Sequence, residues 1–201
     1  MTTNAKTKER TPARTTPRSK PRTRHKTVKP KAGFACDHTV GEETWLTPRW
    51  LVDALELPNV ADVDPCAPPV RHWKTARRHF NKEQDGFNRL WNQQHFYWVN
   101  PPYGAECAAW MAKLADHGNG LLLIFARTDT KAFQDFVFAH PNTSAVFFFR
   151  GRLRFANGAG EEVGTAGAPS ALIAYGKGAV RVIQRAMASG ALDGHLMVFS
   201  R

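Results

Sequence analysis

The sequence predicts an α/β fold with a mostly parallel sheet and helices on both faces, preceded by a disordered basic arm. Three observations carry this reading. Gly120 to Ala126 and Ala145 to Phe149 are continuous apolar runs, as expected of strands covered on both faces. Amphipathic segments at helical spacing alternate with them. The charge sits at one end: residues 1–31 hold 11 Lys and Arg against one acid, Glu9, a net +10 of the total +11.

The arm, residues 1–35, is rich in Thr and Pro and, before Val28, has no large apolar residue after Met1. Such a segment cannot bury enough surface to offset its ordering entropy. It reads either as an arm attracted to nucleic-acid phosphates or as a solubilising tail. Residues 36–201 are then expected to form one compact domain, since no internal repeat or second linker follows. Three cysteines (Cys36, Cys66, Cys107) at wide spacing suggest neither a disulfide framework nor a metal site, and Cys36-x-His38 lacks a second ligand pair. The polar N-terminus and short apolar runs give no signal-peptide or membrane-span pattern, so a soluble, cytoplasmic protein is expected.

Thr47-Pro48 predicts a helix start, with Thr as N-cap and Leu51, Ala54 and Leu55 lining one face. Asn59 to Asp64 reads as a short strand ending in an acid, followed by the turn Pro65-Cys66-Ala67. An acid and small residues at a strand tip suit a nucleoside-cofactor cradle, although the glycine-rich dinucleotide loop is missing. Asp85-Gly86-Phe87 is either an acidic turn or an adenosine contact, with the Phe87 ring packing on a base.

The Phe96 to Val99 run reads as a buried strand that stops at Asn100-Pro101-Pro102-Tyr103. Two prolines remove two backbone donors and fix φ, so no regular element continues through them. The Asn100 side-chain oxygen and the Pro101 carbonyl are acceptors that can take both hydrogens of a planar amine. Tyr103 offers a ring on which a heterocycle can stack. In an open α/β sheet the carboxyl ends of strands are where ligands bind.

Residues 105–116 then read as a helix with Trp110, Met111 and Leu114 on its apolar face, and Arg127 to Thr130 as a second polar turn at a strand end. Phe133, Phe136 and Val137 mark another helix. Arg150, Arg152 and Arg154 alternate, so a strand would place all three on one face, as a phosphate-binding stripe or a solvated surface. Asn157 to Pro169 reads as a mobile Gly/Ala loop. Ser170 to Tyr175 is a strand, Ala179 to Ala188 a helix and His195 to Phe199 an edge strand.

In this order, Thr47-Pro48, Asp64-Pro-Cys-Ala67, Asp85-Gly-Phe87, Asn100-Pro-Pro-Tyr103, Ala126-Arg-Thr-Asp-Thr130 and Gly151-Arg-Leu-Arg-Phe155 resemble the phage-type DNA N6-adenine methyltransferases. The resemblance runs from about Thr44 to Gly176. It implies a Rossmann-like methyltransferase domain that transfers a methyl group from S-adenosylmethionine to the exocyclic amine of a flipped adenine in DNA. Asn100, Pro101, Pro102 and Tyr103 would form the catalytic turn. Thr47, Pro48, Asp64 and Pro65 would line the methionine end of the cofactor, with Asp85 and Phe87 at its adenosine end. Cys66 and Ala67 stand where many methyltransferases carry glycines.

Arg127, Arg150, Arg152 and Arg154 would contact DNA, and no metal is expected. The implied role is evasion of restriction or marking of phage DNA. Only 35 residues separate Asp64 from Asn100, so the elements between are expected to be abbreviated. The same turn could serve a glutamine amide or an RNA base, and a non-catalytic DNA-binding protein is the alternative from another class.

Overall fold

The computed structural model describes residues 1–2 and 45–200; the basic arm from residue 3 onward, Cys36 and His38 lie outside them. Among the described residues nine strands form, β1 (Val63–Asp64), β2 (Arg78–His79), β3 (Tyr97–Val99), β4 (Gly120–Phe125), β5 (Thr143–Phe149), β6 (Arg154–Ala156), β7 (Glu162–Thr165), β8 (Ser170–Tyr175) and β9 (Gly194–Val198). The helices are α1 (Arg49–Ala54), α2 (Leu57–Val60), α3 (Cys107–His117), α4 (Lys131–Phe133), which runs on into a π-helical turn (Gln134–Phe138), and α5 (Lys177–Ala188).

Seven strands make one sheet in the order β2-β1-β3-β4-β8-β5-β9, while β6 and β7 pair separately. The four strands from β2 to β4 are parallel. The other three pairings are antiparallel, so the sheet is mixed where a mostly parallel one was expected. The cause is local. The β6–β7 hairpin turns the chain round at the carboxyl end of β5 and feeds β8 back from that end, between β4 and β5.

Helices cover both faces. Alternate residues of β4 and β8 point to opposite sides: Leu121, Leu123, Leu172 and Ala174 pack with α1, α2 and α5. Leu122, Ile124, Ala171 and Ile173 pack with α3, α4 and the π-helical turn. Most of these side chains have no solvent exposure. Truncating one, such as Leu122 to Ala, costs about 2–5 kcal/mol.

Four local expectations are corrected. Pro48, not Thr47, precedes α1 as its cap, and no side chain caps that helix. Asn59 and Val60 belong to α2, which leaves β1 only two residues long. Residues 157–169 contain β7 and pair back onto β6, so the stretch is a hairpin arm rather than an unstructured loop. Between β5 and β6 the chain turns at Gly151, whose φ of +85° suits glycine, so Arg150, Arg152 and Arg154 do not share one strand face.

Candidate active site

Asn100 lies directly beyond the carboxyl end of β3, between the buried Val99 and the buried Pro101. Its amide nitrogen donates to the Trp45 carbonyl and the Thr47 hydroxyl oxygen, both at 3.3 Å. A backbone carbonyl only accepts, so this pairing fixes which way the amide faces. The Asn100 Oδ1 is consequently turned away from both. It is buried and has no hydrogen-bond partner among the described residues. Leaving a buried acceptor unpaired costs about 1–3 kcal/mol, and native structures carry few such groups. Thr47 is itself 4% exposed, and its hydroxyl serves this contact rather than a helix cap.

The loop after β1 meets the same residue from the other side. The Cys66 thiol donates to the Asn100 carbonyl at 3.3 Å. Burial pushes the Cys66 pKa upward, which keeps it a neutral donor. Asp64, 4% exposed, accepts from the Thr75 hydroxyl at 2.5 Å and from the Cys66 backbone N–H at 3.2 Å. Desolvation raises its pKa to about 6 despite these donors, so the carboxyl titrates just below neutral pH. Ala67 is tied down by its N–H to the Phe80 carbonyl, 3.0 Å away.

The Asp85-Gly86-Phe87 turn abuts this loop. A Cβ on Gly86 would stand 2.0 Å from the Pro65 carbonyl oxygen, so only glycine permits the approach. Asp85 takes a left-handed conformation (φ +49°), which aspartate tolerates, and its exposed carboxylate accepts from the Asn88 backbone and side-chain amides. Those bonds hold its pKa below the usual carboxylate range. Phe87 stands edge-on to Trp110, with ring centroids 4.9 Å apart, beneath the Lys113 ammonium.

Pro102 is exposed and Tyr103 half-buried. The Tyr103 ring stacks on Phe125 at the end of β4, with centroids 4.1 Å apart and planes 12° from parallel, and meets Phe155 of β6 at 86°. One face of the ring is therefore taken by the protein. Arg127 is exposed and lies over the other ring of that stack, 5.7 Å from the Phe125 centroid.

The remaining arginines separate. Arg150 pairs with Asp193 at 2.9 Å, and Arg152 donates to the Ala166 carbonyl at 3.0 Å. Arg154 is exposed on β6 with no partner among the described residues. The fold thus brings Thr47, Asp64, Pro65, Cys66, Gly86 and Asn100 into one linked cluster, with Tyr103 and Arg127 beside its turn. It leaves Arg150 and Arg152 in local contacts.

Five contributors escaped sequence reasoning: Trp45, Thr75, His79, Phe125 and Phe155. Thr75 and His79 lie in a segment without periodicity and carry no motif. Phe125 closes a legible strand, but nothing in the sequence marks it as a partner for Tyr103. Among the described residues no group of three or more His, Cys, Asp or Glu is placed to hold a metal, and no helix is long and apolar enough to cross a membrane.

The α/β sheet thus carries, at the carboxyl ends of the adjacent strands β1 and β3, a buried carboxylate and an amide acceptor without a partner among the described residues, the position at which open sheets hold ligands. The family model for DNA N-6-adenine-methyltransferases (Dam) matches residues 38–189, and the chain belongs to that family. Neither a curated protein nor a solved structure gives a match.

Proposed function

We propose that the chain methylates the exocyclic amine of a flipped adenine in DNA, using S-adenosylmethionine, through a Rossmann-like domain that spans residues 36–201 and follows a basic arm at 1–35. Family membership supports DNA adenine as the substrate. The observation that carries the mechanism is the buried, unpaired Asn100 Oδ1 beside Pro101. That oxygen and the Pro101 carbonyl accept the two amine hydrogens, which turns the nitrogen lone pair out of conjugation and toward the donor. The Tyr103 ring, held by Phe125 and Phe155 beside the turn, would pack against the base.

The residues around the β1 loop fit S-adenosylmethionine. Asp64 offers a carboxylate largely ionised at neutral pH to a cationic ligand. The contact of Gly86 with Pro65 brings the Asp85-Gly86-Phe87 turn against the same loop. Thr47, Pro48, Asp64 and Pro65 would hold the methionine end, Cys66 and Ala67 the adjoining cofactor loop, and Asp85 with Phe87 the adenosine end. When bound, the cofactor would supply an electrophilic sulfonium methyl group and leave as a neutral thioether, with the methylated nitrogen losing one proton to solvent, so the protein's part is to orient the amine and shield the site. Arg127 and Arg154, with Arg150, Arg152 and the arm, would meet DNA phosphates. The protein would act in the cytoplasm, in restriction evasion or marking of phage DNA.

Incubation with labelled S-adenosylmethionine and DNA, RNA or protein tests the assignment. Label recovered as N6-methyladenine from DNA supports it. Label confined to protein or RNA would transfer the site to a glutamine amide or an RNA base. Absence of any cofactor binding would leave a non-catalytic DNA-binding protein.

A further inference from the structure

Two residues with no role in the reading above hold the β1 loop from behind. His79 Nε2 accepts from the backbone N–H groups of both Thr75 and Ala76, each at 3.2 Å. This shared acceptor closes the turn that leads into β2. It sets the Thr75 side chain inward, where the hydroxyl reaches the Asp64 Oδ2 at 2.5 Å. His79 is also the register partner of Asp64 in the β1–β2 ladder, so one short ladder fixes both ends of the arrangement. Burial, with Arg71 and Lys74 close by, lowers the His79 pKa to about 4 and keeps its lone pair free to accept.

From Asp64 the chain of contacts continues through the Cys66 N–H, at 3.2 Å, and the Cys66 thiol to the Asn100 carbonyl, at 3.3 Å. Asp64 is almost without solvent, and its carboxylate is held by the Thr75 hydroxyl and the Cys66 N–H, with the Cys66 thiol beside it. A buried carboxylate that loses one of its few donors reorients or draws in water. Either change moves the Pro65–Ala67 segment.

We propose that Thr75 and His79 are positioning residues that fix the Asp64–Ala67 loop for the methyl donor. The proposal rests on the reading of that loop as the wall of the S-adenosylmethionine site. A purely structural pair would alter stability alone; a positioning pair alters the cofactor KM ahead of kcat.

The test is steady-state methylation of duplex DNA by the full chain, with S-adenosylmethionine binding measured by calorimetry, for Thr75→Val, Thr75→Ser, His79→Phe and His79→Gln. Thr75→Val is expected to raise the cofactor KM and Kd roughly tenfold, the loss expected for one hydrogen bond to a charged group. The kcat and the DNA KM should stay within about threefold. Thr75→Ser should restore the wild-type value. His79→Phe should reproduce the defect, and His79→Gln, whose side-chain oxygen can accept, should relieve it. Should Thr75→Val not fold, the His79→Phe and His79→Gln pair decides by the same criterion.

Unchanged cofactor KM in folded Thr75→Val or His79→Phe protein would overturn the proposal, as would melting losses without any shift in KM. Wild-type protein that binds no S-adenosylmethionine would overturn the parent reading and this proposal with it. Wild-type binding with an indifferent Thr75→Val variant overturns the positioning role alone.

Discussion

Thr47 and Asn100, 53 positions apart in the chain, share a hydrogen bond of 3.3 Å that decides which way the Asn100 amide faces. With the Trp45 carbonyl on the same nitrogen, it turns Oδ1 away from both, buried and without a partner among the described residues. Thr47→Val removes one of the two restraints and lets the amide rotate. The expected result is a roughly tenfold loss in kcat, about 1.4 kcal/mol, with S-adenosylmethionine affinity within a few-fold. Thr47→Ser should retain activity. A large loss of cofactor affinity with kcat intact would contradict the restraint on Asn100 and leave Thr47 only its place at the methionine end of the cofactor.

Gly86 meets the Pro65 carbonyl where a side chain has no room. Gly86→Ala is expected to push the Asp85-Gly86-Phe87 turn off the β1 loop at a cost of roughly 1–3 kcal/mol, the usual range for overpacking. Chemical denaturation should show the loss, and calorimetry should show weakened S-adenosylmethionine binding.

Asp64 and His79 respond to pH in opposite senses. The folded pKa of Asp64 is raised from 3.8 to about 6, so its contribution to stability is full below pH 3.8 and is lost as pH rises through 6. That of His79 is lowered from 6.5 to about 4, so its contribution is present above pH 6.5 and is lost as pH falls toward 4. The two offset each other in wild-type protein between pH 4 and 6. Urea midpoints across this window should therefore rise toward acid in His79→Gln and fall toward acid in Asp64→Asn, relative to wild type. If Asp64 meets a cationic ligand, S-adenosylmethionine affinity should also weaken below pH about 6 and do so less in Asp64→Asn.

The arginines give a graded expectation. Arg150 is engaged by Asp193 and Arg152 by the Ala166 carbonyl, whereas Arg154 is exposed and its side chain has no partner among the described residues. Replacing Arg154 with Ala should lower the slope of log affinity for duplex DNA against log salt by about 0.9, one phosphate's worth. Arg150→Ala should change it less. Filter binding from low to moderate salt measures both.

Much of this arrangement was legible in the sequence because it rests on strong local signals. The apolar runs of β3, β4, β5 and β8 leave no alternative to buried strands, and the Asn100-Pro-Pro turn could only end one. The α/β expectation captured helices on both faces, and the parallel sheet it foresaw holds only from β2 to β4, with β2 itself unread. It missed the antiparallel insertion of β8, because strand direction depends on where the preceding hairpin returns the chain, and apolar content does not encode that.

The site was legible as separate motifs, while its connections were not. Thr75 and His79 act through backbone N–H groups and a single hydroxyl. Such contacts need only a hydrogen-bonding atom at the right place, and they leave no periodicity to read. The arginine stripe failed for a related reason: alternation implies a shared face only if the strand continues, and Gly151 ends it.

The central claim is that the unpaired Asn100 Oδ1 accepts the adenine amine. Its most direct test is Asn100→Ala in the full chain, with N6-methyladenine in duplex DNA and S-adenosylmethionine affinity measured on the same preparation. The predicted result is a loss of methylation of at least about 100-fold, the scale of a deleted transition-state hydrogen bond, with cofactor affinity within a few-fold of wild type. Methylation that survives the substitution, or vanishes only because the cofactor no longer binds, would contradict it.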